Sequence, residues 1–128
     1  MNLLLDTHTF IWWADEPEKL SVNALQALEE ENNHLLLSLI SVWEMQIKVQ
    51  LGKMKLSLLL KDLIESQEQA NELEVMRITR EHIFALDSLP FHHKDPFDRL
   101  LIAQSIAENI TIVSADPKLS AYPVTLLW

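Results

Sequence analysis

The sequence predicts an α/β fold in which helices flank a central, five-stranded and mostly parallel sheet. Residues 3–5 and 35–37 are two runs of consecutive leucines without alternating polar residues, which is typical of strands buried on both faces. Strand-like runs alternate with segments that have apolar residues at helical spacing, through to the end of the chain. This alternation favours a parallel sheet with helical crossovers.

The length and composition indicate one soluble domain over residues 1–128. A chain of 128 residues is long enough to bury a substantial core. It has no cysteine, which excludes disulfides and thiolate metal sites and favours an intracellular protein. The N-terminus does not resemble a signal peptide, and no apolar run approaches the ~20 residues that span a bilayer. We therefore expect a cytoplasmic protein with no membrane segment.

Glycine content and net charge exclude several classes of function. The only glycine is Gly52, so the chain has no P-loop, dinucleotide fingerprint or glycine-flanked serine nucleophile. The formal net charge is -9 at pH 7, whereas general affinity for nucleic acid comes from Lys and Arg. Either the ligand is not a polyanion, or an acidic pocket holds cations that the sequence does not show.

In the first half of the chain, two predicted strands each lead into a helix. Asp6 follows the first strand directly, and the pattern favours a central position for that strand. The helix after the second strand is predicted to begin at Ser41, because Ser41 and Glu44 have the spacing of a capping box, and to end before Gly52. The other predicted elements here are helices over residues 10–13 and 20–28 and the second strand over residues 34–38.

In the second half, helix starts are the clearest signals. Ser57 is predicted to open a helix with Leu59, Leu60, Leu63 and Ile64 facing inward. Thr79 is predicted to cap a helix that runs through Leu89, and Asp95 with Pro96 marks the start of another. The predicted strands are residues 74–78, near a sheet edge, residues 111–114 and residues 124–127.

Five acidic residues are predicted to meet at the carboxyl edge of the sheet. In a parallel sheet, helix N-termini lie at the same edge as the strand ends. The residues that this places together are Asp6, Glu44, Asp95, Asp98 and Asp116. Each also has a purely structural explanation as a helix cap, a first-turn acid or a turn residue. Jointly, however, the carboxylates would repel one another unless some protonate or a cation binds.

The chemistry of this acidic group favours a hard cation. Carboxylates without cysteine suit Mg²⁺ or Mn²⁺, with water completing the coordination shell. The five histidines do not form a zinc site, because His92 and His93 are adjacent and the others lie in different elements. We interpret His8 and His93 as ordinary loop residues near the acidic edge, with contact to substrate as the alternative. Three tryptophans in apolar stripes are interpreted as core or dimer contacts; they are Trp12, Trp13 and Trp43.

Four blocks of sequence, in this order, resemble the PIN-domain family, and in particular the VapC toxin ribonucleases of VapBC toxin–antitoxin systems. The blocks are Leu3-Leu4-Leu5-Asp6-Thr7-His8, Ser38-Leu39-Ile40-Ser41-Val42-Trp43-Glu44, His93-Lys94-Asp95-Pro96-Phe97-Asp98-Arg99-Leu100-Leu101-Ile102-Ala103-Gln104 and Ser114-Ala115-Asp116. The resemblance extends over essentially the whole chain. It implies a PIN-like fold and a Mg²⁺- or Mn²⁺-dependent endoribonuclease, usually dimeric, that acts on RNA and is restrained by a small antitoxin protein.

The resemblance also implies roles for individual residues. Asp6, Glu44, Asp98 and Asp116 match the family's acidic quartet, with Asp95 as a companion, and either Asp95 or Asp98 is the closer metal ligand. We expect Asp6 and Asp98 to be direct ligands, and Glu44 and Asp116 to be further ligands or to orient metal-bound water. The residues expected to contact substrate are Thr7, Lys94, Arg99 and Ser114. Arg99 could instead pair with an acid of the cluster, and Ser114 could bond a ligand carboxylate or a phosphate.

Two other functions use similar features. A phosphotransfer receiver domain needs an acceptor aspartate at the end of the third strand, where this chain has Ile78 and Thr79. A PIN fold could also serve as a binding or regulatory module with its acids idle. The missing acceptor aspartate argues against the receiver domain, and the presence of all the acids argues against the idle module.

Overall fold

The five strands form one parallel sheet, in the order β3-β2-β1-β4-β5. The computed structural model describes residues 1–128. The strands are β1 (Asn2–Leu5), β2 (His34–Ser38), β3 (Glu74–Met76), β4 (Thr111–Val113) and β5 (Leu126–Leu127). The central position of β1 and the edge position of β3 are as predicted. The last three strands are shorter than their sequence patterns indicated.

Six α-helices and three short 3₁₀ helices connect the strands. The α-helices are α1 (Thr7–Asp15), α2 (Val22–Glu29), α3 (Leu39–Gln50), α4 (Leu60–Asn71), α5 (Arg80–Phe84) and α6 (Pro96–Glu108). The 3₁₀ helices are Pro17–Lys19, Ala85–Ser88 and Pro117–Ala121. The helix predicted from Thr79 to Leu89 is therefore α5 followed by a 3₁₀ turn. No helix is long and apolar enough to cross a membrane.

The central strand is buried on both faces, which explains its unbroken leucines. Leu3 and Leu5 belong to a core cluster on one side of the sheet, while Leu4 belongs to a cluster on the other side. All three side chains have no solvent exposure. Fully burying a leucine stabilises the fold by roughly 1.5–3 kcal/mol. The strand β1 is therefore a stable support for Asp6, the residue after Leu5.

The register of the sheet brings three polar residues to the same level of its carboxyl edge. Leu5 pairs with Leu37 on one side and with Val113 on the other. The residues that follow these three are Asp6, Ser38 and Ser114. All three therefore leave the sheet side by side.

Helix α3 begins at Leu39, two residues before Ser41, the first residue of the predicted capping box. Ser38 caps it, because its side-chain oxygen accepts from the backbone N–H of Ile40 at 3.1 Å. Gln104 of α6 holds that serine, whose hydroxyl donates to the Gln104 amide oxygen at 2.6 Å. The prediction of Ser41 as the cap was wrong, and Glu44 consequently lies in the second turn of α3.

Helix α4 also begins elsewhere than predicted. It starts at Leu60 and has no side-chain cap. Ser57 instead donates its backbone N–H to the Asp15 carboxylate at 3.0 Å, and its hydroxyl bonds the same carboxylate. Leu60 and Leu63 are buried as expected, but Leu59 is 76% exposed. Ser57, predicted as the start of a helix, thus links the segment between α3 and α4 to the end of α1.

Candidate functional site

Asp6 lies at the carboxyl edge of the sheet and has two structural partners there. Its Oδ1 accepts from the backbone N–H of Thr9 at 2.7 Å, so Asp6 is the N-cap of α1. Its Oδ2 accepts a hydrogen bond from the Ser114 hydroxyl. The cap and the predicted site residue are therefore the same carboxylate. Thr9 also donates its hydroxyl to the Val113 carbonyl at 2.8 Å, which fixes the start of α1 against β4.

Ser114 connects Asp6 to Asp116. The Ser114 oxygen accepts from the backbone N–H of Asp116 at 3.0 Å while its hydrogen is directed to Asp6. Asp116 in turn caps the 3₁₀ helix Pro117–Ala121, accepting from the Lys118 N–H at 2.9 Å. Of the alternatives predicted for Ser114, the structure shows the bond to a carboxylate.

Glu44 is buried within the same edge. It is only 5% exposed and accepts from the Thr7 hydroxyl at 2.6 Å. Its other oxygen pairs with the Lys48 ammonium, one helical turn further along α3, at 2.7 Å. A buried carboxylate needs such partners, because an isolated buried charge is very costly. Thr7 was predicted to contact substrate, but its hydroxyl is engaged by Glu44.

The start of α6 contributes two carboxylates with different surroundings. Asp95 is the N-cap, and its Oδ1 accepts from the N–H groups of Phe97 at 2.8 Å and of Asp98 at 3.4 Å. Asp98 faces the cluster instead, with Oδ2 at 2.9 Å from His93 Nε2. One potential ligand atom each from His93, Asp98 and Asp116 lies within 4.8 Å of the others. Asp98 is therefore the acid of this helix that joins the group.

The electrostatics of Asp98 show how crowded the edge is. Burial and the negative charge of Asp95 raise the pKa of Asp98 from 3.8 to about 6. His93 lowers this pKa, while Glu44 and Asp116 raise it further. Hence the carboxylates are near enough to oppose one another's ionisation. The site has an excess of negative charge that Lys48 and the hydrogen-bond donors do not remove.

All five predicted acids lie at this edge, in two kinds of environment. Asp98 and Asp116 are partly exposed to solvent, and Asp6 joins them through Ser114. Glu44 is bonded by Thr7 and Lys48. Asp95 is bonded by backbone N–H groups at the start of α6. Two cavities of about 640 and 670 Å³ are lined by other residues. The candidate site is thus an acidic edge of the sheet, separate from both.

The model of the PIN domain family matches residues 3–124. This chain belongs to the PIN-domain family. The protein named ribonuclease VapC22 of Mycobacterium tuberculosis is 32% identical over 135 aligned positions, which span 98% of either protein. The resemblance carried by the four sequence blocks is therefore confirmed.

Solved structures with a similar fold include proteins named VapBC2 and FitAcB. VapBC2 from Rickettsia felis, bound to a DNA fragment from its promoter, has a chain with a TM-score of 0.76 and 21% identity. That match covers 98% of this chain and 97% of the other. FitAcB from Neisseria gonorrhoeae matches with a TM-score of 0.59 and 17% identity over 97% and 95% of the two chains. At these identities the likeness establishes the fold.

Two roles were predicted for Arg99, contact with substrate and pairing with an acid of the cluster. Its position in this PIN domain supports neither. Its guanidinium is buried and donates to the carbonyl oxygens of Leu89 at 3.0 Å and Pro90 at 2.8 Å. It also lies 3.8 Å from the ring centroid of Phe91, and it forms no salt bridge with an acid. Arg99 holds a loop, because a planar guanidinium with five donors suits several carbonyls at once. Lys94 is exposed near the cluster and stays available for the predicted phosphate contact.

His93 is the site residue that sequence reasoning missed. It was interpreted as an ordinary loop residue, yet its side chain is only 11% exposed and its Nε2 lies 2.9 Å from Asp98 and 3.9 Å from Asp116. The one available signal was its place two residues before the Asp95 cap. That spacing alone does not reveal which way the imidazole turns. The ring is oriented by the Asp95 N–H, which donates to His93 Nδ1 at 3.1 Å. The backbone of the loop is held by Tyr122, 29 residues later, whose hydroxyl accepts from the His93 N–H at 2.8 Å.

The metal-free stability of this PIN domain should depend on pH through Asp98. Because its pKa rises from 3.8 to about 6 on folding, the folded state binds more protons between these values. The free energy of unfolding then falls as the pH rises through this window. The shift corresponds to at most about 3 kcal/mol, and the 31% exposure of the side chain reduces this to about 1–2 kcal/mol. We expect Asp98→Asn to be more stable than wild type at neutral pH, in thermal unfolding with EDTA.

The control for this measurement is Asp87→Asn, since Asp87 is exposed and outside the acidic group. It should unfold like the wild type at every pH. A metal-free Asp98→Asn protein less stable than the wild type at neutral pH would contradict the account. It would mean that the favourable effect of a first-turn acid on α6, typically 0.3–1 kcal/mol, outweighs the cost of burying the Asp98 charge beside other carboxylates.

Proposed function

We propose that this protein is a divalent-metal-dependent endoribonuclease and the toxin of a VapBC-type toxin–antitoxin pair. The observation that carries the proposal is the convergence of Asp6, Asp98 and Asp116 at one edge of the sheet, with Glu44 beside them. The ribonuclease name of a relative 32% identical over nearly the whole chain supports the choice of RNA as substrate. We also propose that it acts in the cytoplasm, where its RNA substrates are.

The residues present fit a hard cation such as Mg²⁺ or Mn²⁺. The candidate donors are carboxylate oxygens, which these cations prefer. Burial raises the pKa of Asp98 most, and the negative charges of Asp95, Glu44 and Asp116 raise it further; a divalent cation at this edge would neutralise that charge. Asp6, Asp98 and Asp116 would hold the cation, and Glu44 would orient bound water or act as a further ligand. When bound, the cation lowers the pKa of coordinated water and stabilises charge that develops on the phosphate.

The protein's own residues have supporting roles in phosphodiester hydrolysis. Ser114 fixes the orientation of the Asp6 carboxylate, and Thr7 does the same for Glu44. Such outer hydrogen bonds keep ligands within the narrow range of geometry that catalysis needs. Lys94 and Lys48 supply positive charge near the cluster for flanking phosphates. Arg99 contributes indirectly, by holding the loop that carries His93.

Replacing Asp6 by Asn should abolish RNA cleavage and leave the fold intact. Asn is also a good N-cap, so the bond from the Thr9 N–H can persist, whereas the negative charge is lost. We expect cleavage of a structured RNA panel with Mn²⁺ to fall by at least about 100-fold, equivalent to a few kcal/mol of transition-state stabilisation. EDTA should stop the wild type, and expression of the wild type alone should slow bacterial growth.

The same assay separates the nuclease from the idle-module alternative. Asp87→Asn, which removes an acid outside the site, should cleave at the wild-type rate. If the wild type and a folded Asp6→Asn protein cleave RNA equally, or both leave it intact with Mn²⁺, the nuclease proposal fails. The PIN fold would then serve binding or regulation alone.

We propose two protein partners, a small cognate antitoxin and a second copy of the chain. Several apolar side chains are exposed on the surface; they include Trp43 (58%), Phe84 (69%) and Phe91 (77%). Exposed apolar area of this kind is typical of interaction surfaces. Trp12 and Trp13 are instead packed partly against the core, so of the three tryptophans Trp43 remains the candidate dimer contact.

The dimer should be detectable without the antitoxin. Light scattering at tens of micromolar, a range in which a micromolar interface is mostly occupied, should give about twice the 14.8 kDa mass of the chain. Trp43→Ser should shift the equilibrium toward monomer because it removes exposed aromatic surface, and the one ring contact that it removes within the chain is with Phe97, at 5.5 Å between ring centroids. A wild-type mass of one chain at that concentration would contradict the homodimer.

A further inference from the structure

His93 is held in one tautomer by the start of α6. The backbone N–H of Asp95 donates to His93 Nδ1 at 3.1 Å. An imidazole that accepts at Nδ1 carries its hydrogen on Nε2. That Nε2–H points to Asp98 Oδ2, 2.9 Å away, with Asp116 Oδ2 at 3.9 Å. His93 therefore presents a hydrogen-bond donor, not a lone pair, to the acidic group.

The loop that carries His93 is fixed from its other side. The backbone N–H of His93 donates to the Tyr122 hydroxyl at 2.8 Å, and that hydroxyl donates to the Pro90 carbonyl at 2.7 Å. Arg99 donates to the Pro90 carbonyl as well, at 2.8 Å. With its side chain 11% exposed, the imidazole has little freedom to turn. The direction of its Nε2–H is preorganised by groups outside the acidic cluster.

This geometry decides whether His93 could itself bind a cation together with Asp98 and Asp116. His93, Asp98 and Asp116 each offer a ligand atom within 4.8 Å of the others. For Nε2 to bind a cation, however, its hydrogen would have to move to Nδ1, where it would face the N–H of Asp95. Two donors would then oppose each other at a buried contact, which is unfavourable. The tautomer makes Asp98 and Asp116 the ligands and His93 their neighbour.

We propose that His93 is a positioning residue for the metal site. Its Nε2–H fixes Oδ2 of Asp98, which leaves the other carboxylate oxygen of Asp98 for the cation. The inference rests on the proposed function, since it concerns the same cation. Hydrogen bonds to ligand carboxylates typically change metal affinity by 10–100-fold, and His93 is the only protein group that hydrogen-bonds or pairs with the Asp98 carboxylate.

The test measures Mn²⁺ affinity of the metal-free protein by isothermal titration calorimetry. His93→Leu removes the donor, while His93→Gln keeps an N–H near the position of Nε2. We expect His93→Leu to bind Mn²⁺ 10–100-fold more weakly and His93→Gln to recover most of the loss. His92→Leu is the matched control, because His92 is the adjacent loop histidine and packs edge-to-face against the Tyr122 ring instead, at 5.2 Å between ring centroids. It should bind Mn²⁺ like the wild type.

Three results would overturn the proposal. One is equal Mn²⁺ affinity of the wild type and His93→Leu, and another is equal weakening by His93→Leu and His93→Gln. The third is an electron spin-echo spectrum of the Mn²⁺-bound wild type with ¹⁴N modulation from a directly coordinated imidazole, since His93 would then be a ligand. If His93→Leu melts well below the wild type, the His93→Gln affinity and the wild-type spectrum decide. A wild type that binds no Mn²⁺ at millimolar concentration would instead refute the proposed function.

Discussion

Carboxylates at one edge of the sheet repel one another, and hydrogen bonds and ion pairs around the site offset that repulsion. At an effective dielectric constant of ~20, two full negative charges ~5 Å apart repel by about 3 kcal/mol, less where water reaches them. The protein offsets this with donors on every side. Asp6 and Asp95 cap helices, Ser114 and Thr7 donate hydroxyls, and the remaining offset comes from Lys48 and His93. The raised pKa of Asp98, due first to burial and then to the charges of its acidic neighbours, shows that this offset is incomplete.

The fold can tolerate this strain because the site stands on the most buried part of the protein. Asp6 follows three leucines with no solvent exposure, and β1 is paired on both sides by β2 and β4. Helix α6 is likewise buried through most of its middle, so Asp98 cannot move away without disturbing the core. Rigid neighbours therefore keep like charges together, and stability that comes from the core offsets the cost at the edge.

The α/β architecture and the position of the five acids at one edge of the sheet could be predicted from the sequence, because both depend on local patterns and on one rule of parallel sheets. Continuous leucines mark the buried strands, and strand ends and helix starts meet at one edge. Helix caps and side-chain roles could not be predicted where they depend on contacts with residues far along the chain. Ser38 and Ser41 are both plausible caps for α3, and Gln104, 66 residues away, holds Ser38. The roles of His93 and Arg99 likewise depend on Tyr122, far along the chain.

The net charge of -9 is compatible with a nuclease if the cation is part of the binding surface. Without it, the acidic edge repels a phosphodiester, so substrate affinity and metal binding should be coupled. The most direct test is anomalous diffraction from crystals saturated with Mn²⁺. We expect a Mn²⁺ peak in contact with carboxylate oxygens of Asp6, Asp98 or Asp116. No peak at this edge, or Mn²⁺ bound only at another acidic patch such as residues 29–31, would contradict it.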